Sequence, residues 1–291
     1  TLPADILYVN DGTDADVDYV SSLNKLSANW GASSHPSGIL KYEYAIGTSL
    51  GGTNIVPWTD NGSGLRVTKA GLTLAEGTVY YFAVRAENNA LSYSGVSVSD
   101  GQRVDITSPA ARVIITSALP ARLGAFGAKL IITEENALAG APSLKILPAC
   151  GEQEYDAAVS YLVFSTWTVS SFIETYFSSG TACLKFSVSD LAGNAGTALT
   201  SGGNFTIDTS LSGAAGGAVS NSDGFGVSVP AGAVSGNFFI IISTVASSRT
   251  VTADASTPGS LKLRLSDLVR EFSAKDALGA PIHAFSVPLT I

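Results

Sequence analysis

Short stretches of alternating apolar and polar residues recur along the chain, separated by turns rich in glycine, asparagine and aspartate. Residues 26–30, 42–46 and 79–84 all alternate with a period of two, which predicts half-buried β-strands. The turns at residues 47–52 and 60–64 supply the glycine and asparagine that tight turns favour. No helical stripe with a period of 3.6 residues competes with this pattern. Several short strands separated by turns predict an all-β fold built from sandwiches.

One ending, made of a strand, a turn and a linker, occurs twice in the sequence. In both copies 18 positions separate the acid at the strand end from the aspartate of the linker, Glu87 from Asp105 and Asp190 from Asp208. The two copies lie 103 positions apart, and a fixed period is typical of an array of domains. We therefore predict tandem Greek-key β-sandwich modules in an extended array. The predicted modules cover residues 4–109, 110–209 and 210–291.

The first module carries two landmarks of one family. Residues 26–30 resemble the second strand of a fibronectin type III domain, with Trp30 in its core. Residues 74–80 resemble the tyrosine corner of that family, in which the hydroxyl of Tyr80 would bond to nearby backbone. The strand exit at residues 86–90 is also similar. The resemblance implies a sandwich that binds partners or acts as a spacer, without catalysis.

The second module ends in a turn with the sequence Asp-Leu-Ala-Gly-Asn at residues 190–194. This turn resembles the Asp-x-Ala-Gly-Asn turn of bacterial immunoglobulin-like surface repeats, and residues 205–209 resemble their closing strand. Seven strands are predicted here, at residues 112–116, 129–133, 144–147, 159–164, 167–173, 182–189 and 205–207.

The third module opens with glycines, a short strand and a Val-Ser-Val-Pro-Ala-Gly-Ala segment at residues 227–233. This opening resembles the β domain shared by ankyrins, netrin receptors and tight-junction proteins. We predict a strand at residues 238–242 and another over the first half of residues 261–272. A late strand is expected over residues 281–291. If residues 285–291 form an edge strand, their free backbone would pair with a neighbouring chain.

Composition narrows the class of protein. Hydrophobic residues make up 45% of the chain, enough for real cores, while charged residues make up only 14%. The net charge is −8 and no basic stripe is present, so nucleic acid is excluded as a partner. No apolar run approaches the roughly 20 residues of a membrane-spanning helix, so direct membrane insertion is not expected. The chain lacks an initiating Met and a signal peptide, and we expect a fragment of a longer, processed protein at the cell surface or outside the cell.

Cys150 and Cys183 are the two cysteines of the chain, and both fall in the second module. Cys150 follows one predicted strand and Cys183 begins another, so the two meet if the strands are antiparallel neighbours. We predict a disulfide between them, which would close an interval of 33 residues. The alternative is two small buried thiols.

The acidic segment at residues 10–18 is the first candidate site. Asp14, Asp16 and Asp18 alternate, so on a strand they would share one face and form a site for a hard cation such as calcium. The alternative is a solvated acidic edge that discourages aggregation. Asp190 and Asn194 are a second cation candidate. It is the weaker of the two, because a turn alone would account for an aspartate and an asparagine at these positions.

Catalysis has little support in the sequence. His35 precedes a proline in a polar turn. Some relatives of the domain that the third module resembles cleave themselves at a His-Phe-Ser sequence. Here Ala284 is inserted between His283 and Phe285, so that spacing is lost. The acid pairs at residues 134–135 and 152–154 lie in predicted loops. We therefore predict no catalytic residues and no enzyme activity.

We expect a non-catalytic structural or adhesive segment of an extracellular, bacterial surface or filament protein, acting as a spacer or assembly unit. Its partners would be neighbouring copies of itself, other surface proteins or polysaccharide. No cofactor is required, and calcium is the one candidate ion. The alternative is a set of accessory polysaccharide-binding modules of a secreted hydrolase, in which Trp58 would contact the ligand. An enzyme in its own right is the least favoured reading.

Overall fold

The fold was analysed in a computed structural model, which describes residues 1–220, 224–245, 260–265, 268–287 and 289–290. The regular structure of these residues is β-strand, apart from a three-residue 3-10 helix at Pro148–Cys150. The predicted all-β fold is therefore confirmed. No helix in the described part of the chain is long and apolar enough to cross a membrane.

The chain divides into two compact units. The first comprises Thr1–Pro109 together with two short later segments, Glu134–Gly140 and Val188–Gly196. The second comprises Ala110–Thr133, Ala141–Ser187 and Thr197–Ile291. Because the second unit includes residues of both later predicted modules, the division into three modules stays a prediction.

The first unit is a sandwich of two sheets, in which all strand pairs are antiparallel except the parallel pair of β2 and β9. One sheet has the order β1-β3-β6, and the other has the order β2-β9-β7-β4-β5 with β8 paired to β7. The core between them centres on Trp30, Tyr42, Phe82 and Leu26. The strands are β1 (Val9–Asp11), β2 (Tyr19–Val20), β3 (Lys25–Trp30), β4 (Ile39–Gly47), β5 (Val56–Asp60), β6 (Arg66–Ala70), β7 (Val79–Asn88), β8 (Ser97–Val98) and β9 (Gln102–Val104).

Both fibronectin-like landmarks have structural counterparts in this sandwich. Trp30 is buried and packs its ring near that of Tyr42, with centroids 6.3 Å apart. The hydroxyl of Tyr80 accepts a hydrogen bond from the backbone N–H of Ala75 at 2.9 Å. This is the backbone contact that the tyrosine corner predicted.

The strands that follow along the chain form a larger set of ladders. They connect in the order β16-β15-β12-β13-β14-β11-β10-β17, with β18 paired to β15. All seven strands predicted between residues 112 and 207 have counterparts here. The strands are β10 (Ala110–Ile115), β11 (Gly124–Thr133), β12 (Ser143–Leu147), β13 (Tyr155–Val163), β14 (Thr166–Ile173), β15 (Gly180–Ser189), β16 (Ala195–Gly196), β17 (Ala198–Ser201) and β18 (Asn204–Ile207).

The last strands build a further core inside the second unit, around Phe238, Ile240 and Phe272. Leu123, from before β11, packs against this core. Ladders run in the orders β19-β22-β24-β23 and β20-β21. The strands are β19 (Leu211–Ser212), β20 (Gly217–Ser220), β21 (Gly226–Val229), β22 (Asn237–Val245), β23 (Ser260–Leu265) and β24 (Leu268–Asp276). The strand preferred for the first half of residues 261–272 is thus present.

The strand expected over residues 281–291 is wrong for the described residues. They form only isolated bridges, from Pro281 to Lys275 and from Thr290 to Ser228. Pro281 has no N–H to donate to a ladder. The hydroxyl of Ser286 instead donates to backbone carbonyls at Gly232 and Ala233.

Candidate functional site

The linker aspartate of each repeated ending closes the same local turn. Asp105 Oδ1 accepts the backbone N–H of Thr107 at 3.0 Å, and Asp208 Oδ1 accepts that of Ser210 at 2.9 Å. An aspartate that bonds the backbone two residues on fixes the direction of the chain at that point. The spacing of the repeat therefore reflects a repeated linker geometry.

The asparagine of each ending anchors a distant stretch of backbone inside the first unit. The side-chain amide of Asn194 donates to the carbonyl oxygen of Asp105 and to Asp190 Oδ2, both at 2.9 Å. The backbone N–H of Asn194 donates to Asp190 Oδ1 at 2.8 Å. In the other copy, the amide of Asn88 donates to the carbonyl of Thr1 at 3.3 Å. In both copies a turn asparagine therefore holds the backbone at the entry to a predicted module.

Three carboxylates converge beside Asn194. One oxygen each of Asp105, Glu134 and Asp190 lies within 4.8 Å of the others, and both aspartates are only 1% exposed. Asp105 Oδ2 accepts the side-chain amide of Asn136. Glu134 Oε1 accepts the backbone N–H groups of Glu135 and Asn136, whereas Glu134 Oε2 is buried without a hydrogen-bond partner.

Within the part of the chain that the structure describes, no ion pair to a basic side chain neutralises this carboxylate cluster. None of the ion pairs in the described ranges involves Asp105, Glu134 or Asp190. Several oxygen ligands at close range are what calcium requires in proteins, and a buried oxygen without a donor is a free ligand position. The residues present therefore fit a hard divalent cation, with Asp105, Glu134 and Asp190 as the side chains that would hold it.

The predicted group of Asp14, Asp16 and Asp18 is not brought together. Residues 12–18 form bends and loop between β1 and β2, so the strand assumed for them is wrong. Asp16 lies instead with Asp11 and Asp100, each offering an oxygen within 4.8 Å of the others. Asp14 is exposed and lies 3.9 Å from the guanidinium of Arg66.

Asp11 is the buried member of that second acidic group. Burial raises the pKa of its carboxyl to about 6, against hydrogen bonds from Gln102, Ser99 and Gly101 that lower the pKa. Gln102 Nε2 donates to Asp11 Oδ1 and the backbone N–H of Gly101 donates to Asp11 Oδ2, both at 2.9 Å. These bonds tie the end of β1 to the start of β9. Asp11 is therefore a structural carboxyl that titrates near the lower end of the physiological range.

Trp58 belongs to a cluster on one face of the first unit. The guanidinium of Arg85 lies 4.3 Å from the ring centre of Trp58 and 4.0 Å from that of Tyr93. Arg85 also makes two hydrogen bonds to Glu43 Oε2, at 2.7 and 3.0 Å, and Lys41 bonds Glu43 Oε1. Burial opposes ionisation of Glu43, but the bonds from Lys41 and Arg85 lower the pKa of its carboxyl overall. One face of the Trp58 ring is thus occupied by the protein's own arginine.

Cys150 and Cys183 are joined by a disulfide. Cys183 lies on β15 opposite Leu147, the last residue of β12, and Cys150 ends the short 3-10 helix that follows β12. The end of one strand meets the start of its antiparallel neighbour, which is the geometry that the spacing suggested.

Three of the side chains considered for catalysis, His35, His283 and Glu154, are engaged elsewhere or exposed. The ring nitrogens of His35 contact the hydroxyls of Thr1 and Ser37, each at 2.8 Å, and His283 is exposed. Glu154 binds Lys145 and Lys185, and these bonds lower the pKa of its carboxyl to about 2. A carboxyl that ionises so readily cannot serve as a general acid near neutral pH.

Several residues of these clusters were missed by sequence reasoning. Asn136 and Gln102 bind buried aspartates that are 31 and 91 positions away. Tyr93 and Arg85 complete the cluster at Trp58 from a different strand and loop. No short-range pattern marks such contacts, because the folding of the sandwich creates them.

Comparison with known proteins gave structural likenesses of low similarity. No protein-family model and no curated protein matched the chain. The FN1–FN3 domains of chicken CNTN1 are 13% identical, with a TM-score of 0.35 over 72% of this chain and 68% of theirs. A tetra-tandem repeat from the extending region of a large adhesion protein is 14% identical, with a TM-score of 0.35 over 97% of this chain and 66% of its own. The fibronectin(III)-like modules of Clostridium thermocellum CbhA are 9% identical, with a TM-score of 0.35 over 69% of this chain and 92% of theirs.

These scores carry no functional argument. The description of the first unit as a β-sandwich rests on its own two sheets and on their shared core around buried Trp30.

Proposed function

We propose that this chain is a non-catalytic structural segment of an extracellular surface or filament protein, in which the β modules act as spacer or assembly unit. The observation that supports this proposal is the set of hydrogen bonds made by two buried acids, Asp105 and Asp190. Asp105 and Asp190, which an enzyme would aim into a cleft, are instead bonded to Thr107, Asn136 and Asn194. Their hydrogen bonds hold a linker and a turn in place.

The carboxylate cluster adds a proposed ligand to this structural role. Three carboxylates so close together repel one another unless a cation or a proton lies between them. Glu134 Oε2 is buried and lacks a donor, so the cluster offers an unfilled ligand position. We infer that Asp105, Glu134 and Asp190 bind calcium, which would stiffen the first unit in calcium-rich extracellular fluid.

A polysaccharide-binding role through Trp58 has weaker support. A sugar ring stacks on an open aromatic face, whereas one face of Trp58 is covered by Arg85 at 4.3 Å. A glycan array probed with the wild-type chain and with Trp58→Ala separates the readings. Binding that depends on Trp58 would favour the accessory-module alternative, and no binding would leave the structural role.

Immunolabelling of the source cells tests the structural proposal itself. An antibody raised against this chain is expected to label the outer surface or filaments of intact cells, without permeabilisation. Label that appears only after permeabilisation would contradict the proposal. A matched antibody against a cytoplasmic protein reports on membrane integrity.

A further inference from the structure

Strand β13 changes partner halfway along its length. Residues 155–157 pair with β12, whereas residues 158–163 pair with β14. Among the strands that the structure describes, none pairs with the other side of β13 beyond Ala157. Residues 158–163 are therefore the edge of the ladder formed with β14, β11 and β10. Their outward backbone N–H and C=O groups lack strand partners.

The side chains at this edge are apolar and exposed. Tyr161, Leu162, Val163 and Phe164 are 62%, 49%, 47% and 87% exposed. Phe164 also has a φ of 50°, a left-handed backbone conformation that bulky side chains rarely adopt. A turn at this position would ordinarily carry asparagine or glycine. The protein therefore keeps a large aromatic side chain where backbone conformation and water both disfavour it.

The edge lacks most of the usual protections against pairing with another strand. Lysine, proline, an inward charge or a β-bulge commonly blocks an exposed edge, and of these only a bulge is present here. Residues 157–173 contain no charged residue, no proline and no glycine. A bulge between Tyr161 and Val163 is the one irregularity, and it leaves residues 158–161 as the regular stretch.

We propose that residues 158–164 form a two-fold interface with the same residues of a second copy of this chain. The edges would pair antiparallel over residues 158–161, and this association would remove exposed apolar side chains of the segment from water. Charge favours this occupant. The chain carries a net charge of −8, so two copies repel each other least where they meet through a segment free of acids, and this edge is such a segment. Antiparallel pairing of identical uncharged strands brings no like charges together.

This inference extends the structural role proposed above, which stands whether or not copies associate in this way. The sequence led us to expect that residues 285–291 pair with a neighbouring chain. We now place that strand-to-strand contact at β13. In the described part of that terminal segment, Thr290 already exchanges two backbone hydrogen bonds with Ser228, at 2.7 and 3.1 Å.

Sedimentation velocity over a concentration series tests the interface. The wild-type chain is expected to pass from monomer to dimer, and Leu162→Lys is expected to weaken the dimer at least tenfold by placing a charge at the edge. Leu278→Lys is the matched control, because Leu278 is 95% exposed in a turn elsewhere. It is expected to leave the dimer unchanged, and circular dichroism checks that both variants fold.

Amide hydrogen exchange gives a second readout that does not depend on a variant. Backbone amides at residues 158–163 are expected to exchange more slowly as concentration rises through the dimer transition. A chain that stays monomeric at high concentration would overturn the proposal. So would a dimer that Leu278→Lys weakens as much as Leu162→Lys, or one that leaves exchange at β13 unchanged.

Discussion

Replacing Asn194 with alanine tests the role of the repeated ending in the first unit. The substitution removes a side-chain amide that donates to the Asp105 carbonyl and to Asp190 Oδ2, both at 2.9 Å. The backbone bonds of residue 194 to Asp190 remain available. Both acceptors belong to buried residues, so water cannot easily replace the lost donor.

The expected loss follows from these two orphaned acceptors. A buried acceptor left without a donor costs about 1–2 kcal/mol, so Asn194→Ala should lower the free energy of unfolding by about 2–4 kcal/mol. For a unit of this size the melting temperature should fall by roughly 10 °C. Differential scanning calorimetry measures this shift.

Asn61→Ala is the matched control for Asn194→Ala. The amide of Asn61 also donates twice, to the carbonyls of Gly64 and Arg66 at 3.0 and 3.1 Å, but in a more exposed turn. Water can replace those bonds, so the control should lose less than about 1 kcal/mol. Equal losses from the two variants would show that the burial of Asp105 and Asp190 does not strengthen the contribution of the Asn194 hydrogen bonds to stability.

Four further predictions follow from other parts of the molecule. About 1 mM calcium should raise the melting temperature of the wild-type chain by several degrees and leave Asp190→Asn unchanged, and an equal response in both would remove the proposed ion. The folded-state pKa of Asp11, about 6, lies above its ordinary value of 3.8, so the stability that its protonation gives is full below pH 3.8 and is lost as pH rises through 6. Asp11→Asn loses one of the two acceptor oxygens at every pH, but relative to the wild-type chain it should gain up to about 3 kcal/mol of stability between about pH 4 and about pH 7.5; urea titrations that give the same difference at both pH values would contradict this. Changing Cys150 and Cys183 together to alanine should cost about 3–4 kcal/mol through the closed interval of 33 residues, measured by the same titrations, and a loss near zero would count against the disulfide's stabilising role. Trp58→Ala should lower the free energy of unfolding by about 1–2 kcal/mol, because it removes the cation–π contact with Arg85. No loss would show that this contact does not stabilise the fold.

Strand positions were readable from the sequence because their signal is local. In a strand, successive side chains point to opposite faces, so a half-buried strand shows a period of two. Residues 79–84 have this period, and they lie in β7. The disulfide was likewise accessible, since it required only that β12 and β15 be antiparallel neighbours.

The acidic segment shows where local reasoning fails. Alternating aspartates at residues 14–18 would share a face on a strand, but the chain turns at Gly12, which has a φ of 93°. The backbone N–H of Val17 then bonds back to the carbonyl of Asp11 at 3.0 Å and closes a loop. The Asp-Gly dipeptide at residues 11–12 is a turn signal that predicts this outcome better than the alternation does.

The carboxylate cluster could not have been assembled from the sequence. Asn194 reaches the Asp105 carbonyl across 89 positions, and Asn136 reaches the Asp105 carboxylate across 31. The repeated spacing marked Asp105 and Asp190 as positions of interest, but only the fold supplies Glu134 and Asn136 as their neighbours.

Amide hydrogen exchange at residues 105–107 and 191–194 is the most direct test of the claim that Asn194 and the two buried aspartates hold the linker and the turn together. These loop amides, including the N–H groups of Thr107 and Asn194, are expected to exchange as slowly as those of neighbouring strands. Asn194→Ala is expected to accelerate exchange at both segments together. Exchange at the rate of an open loop in the wild-type chain would contradict the claim.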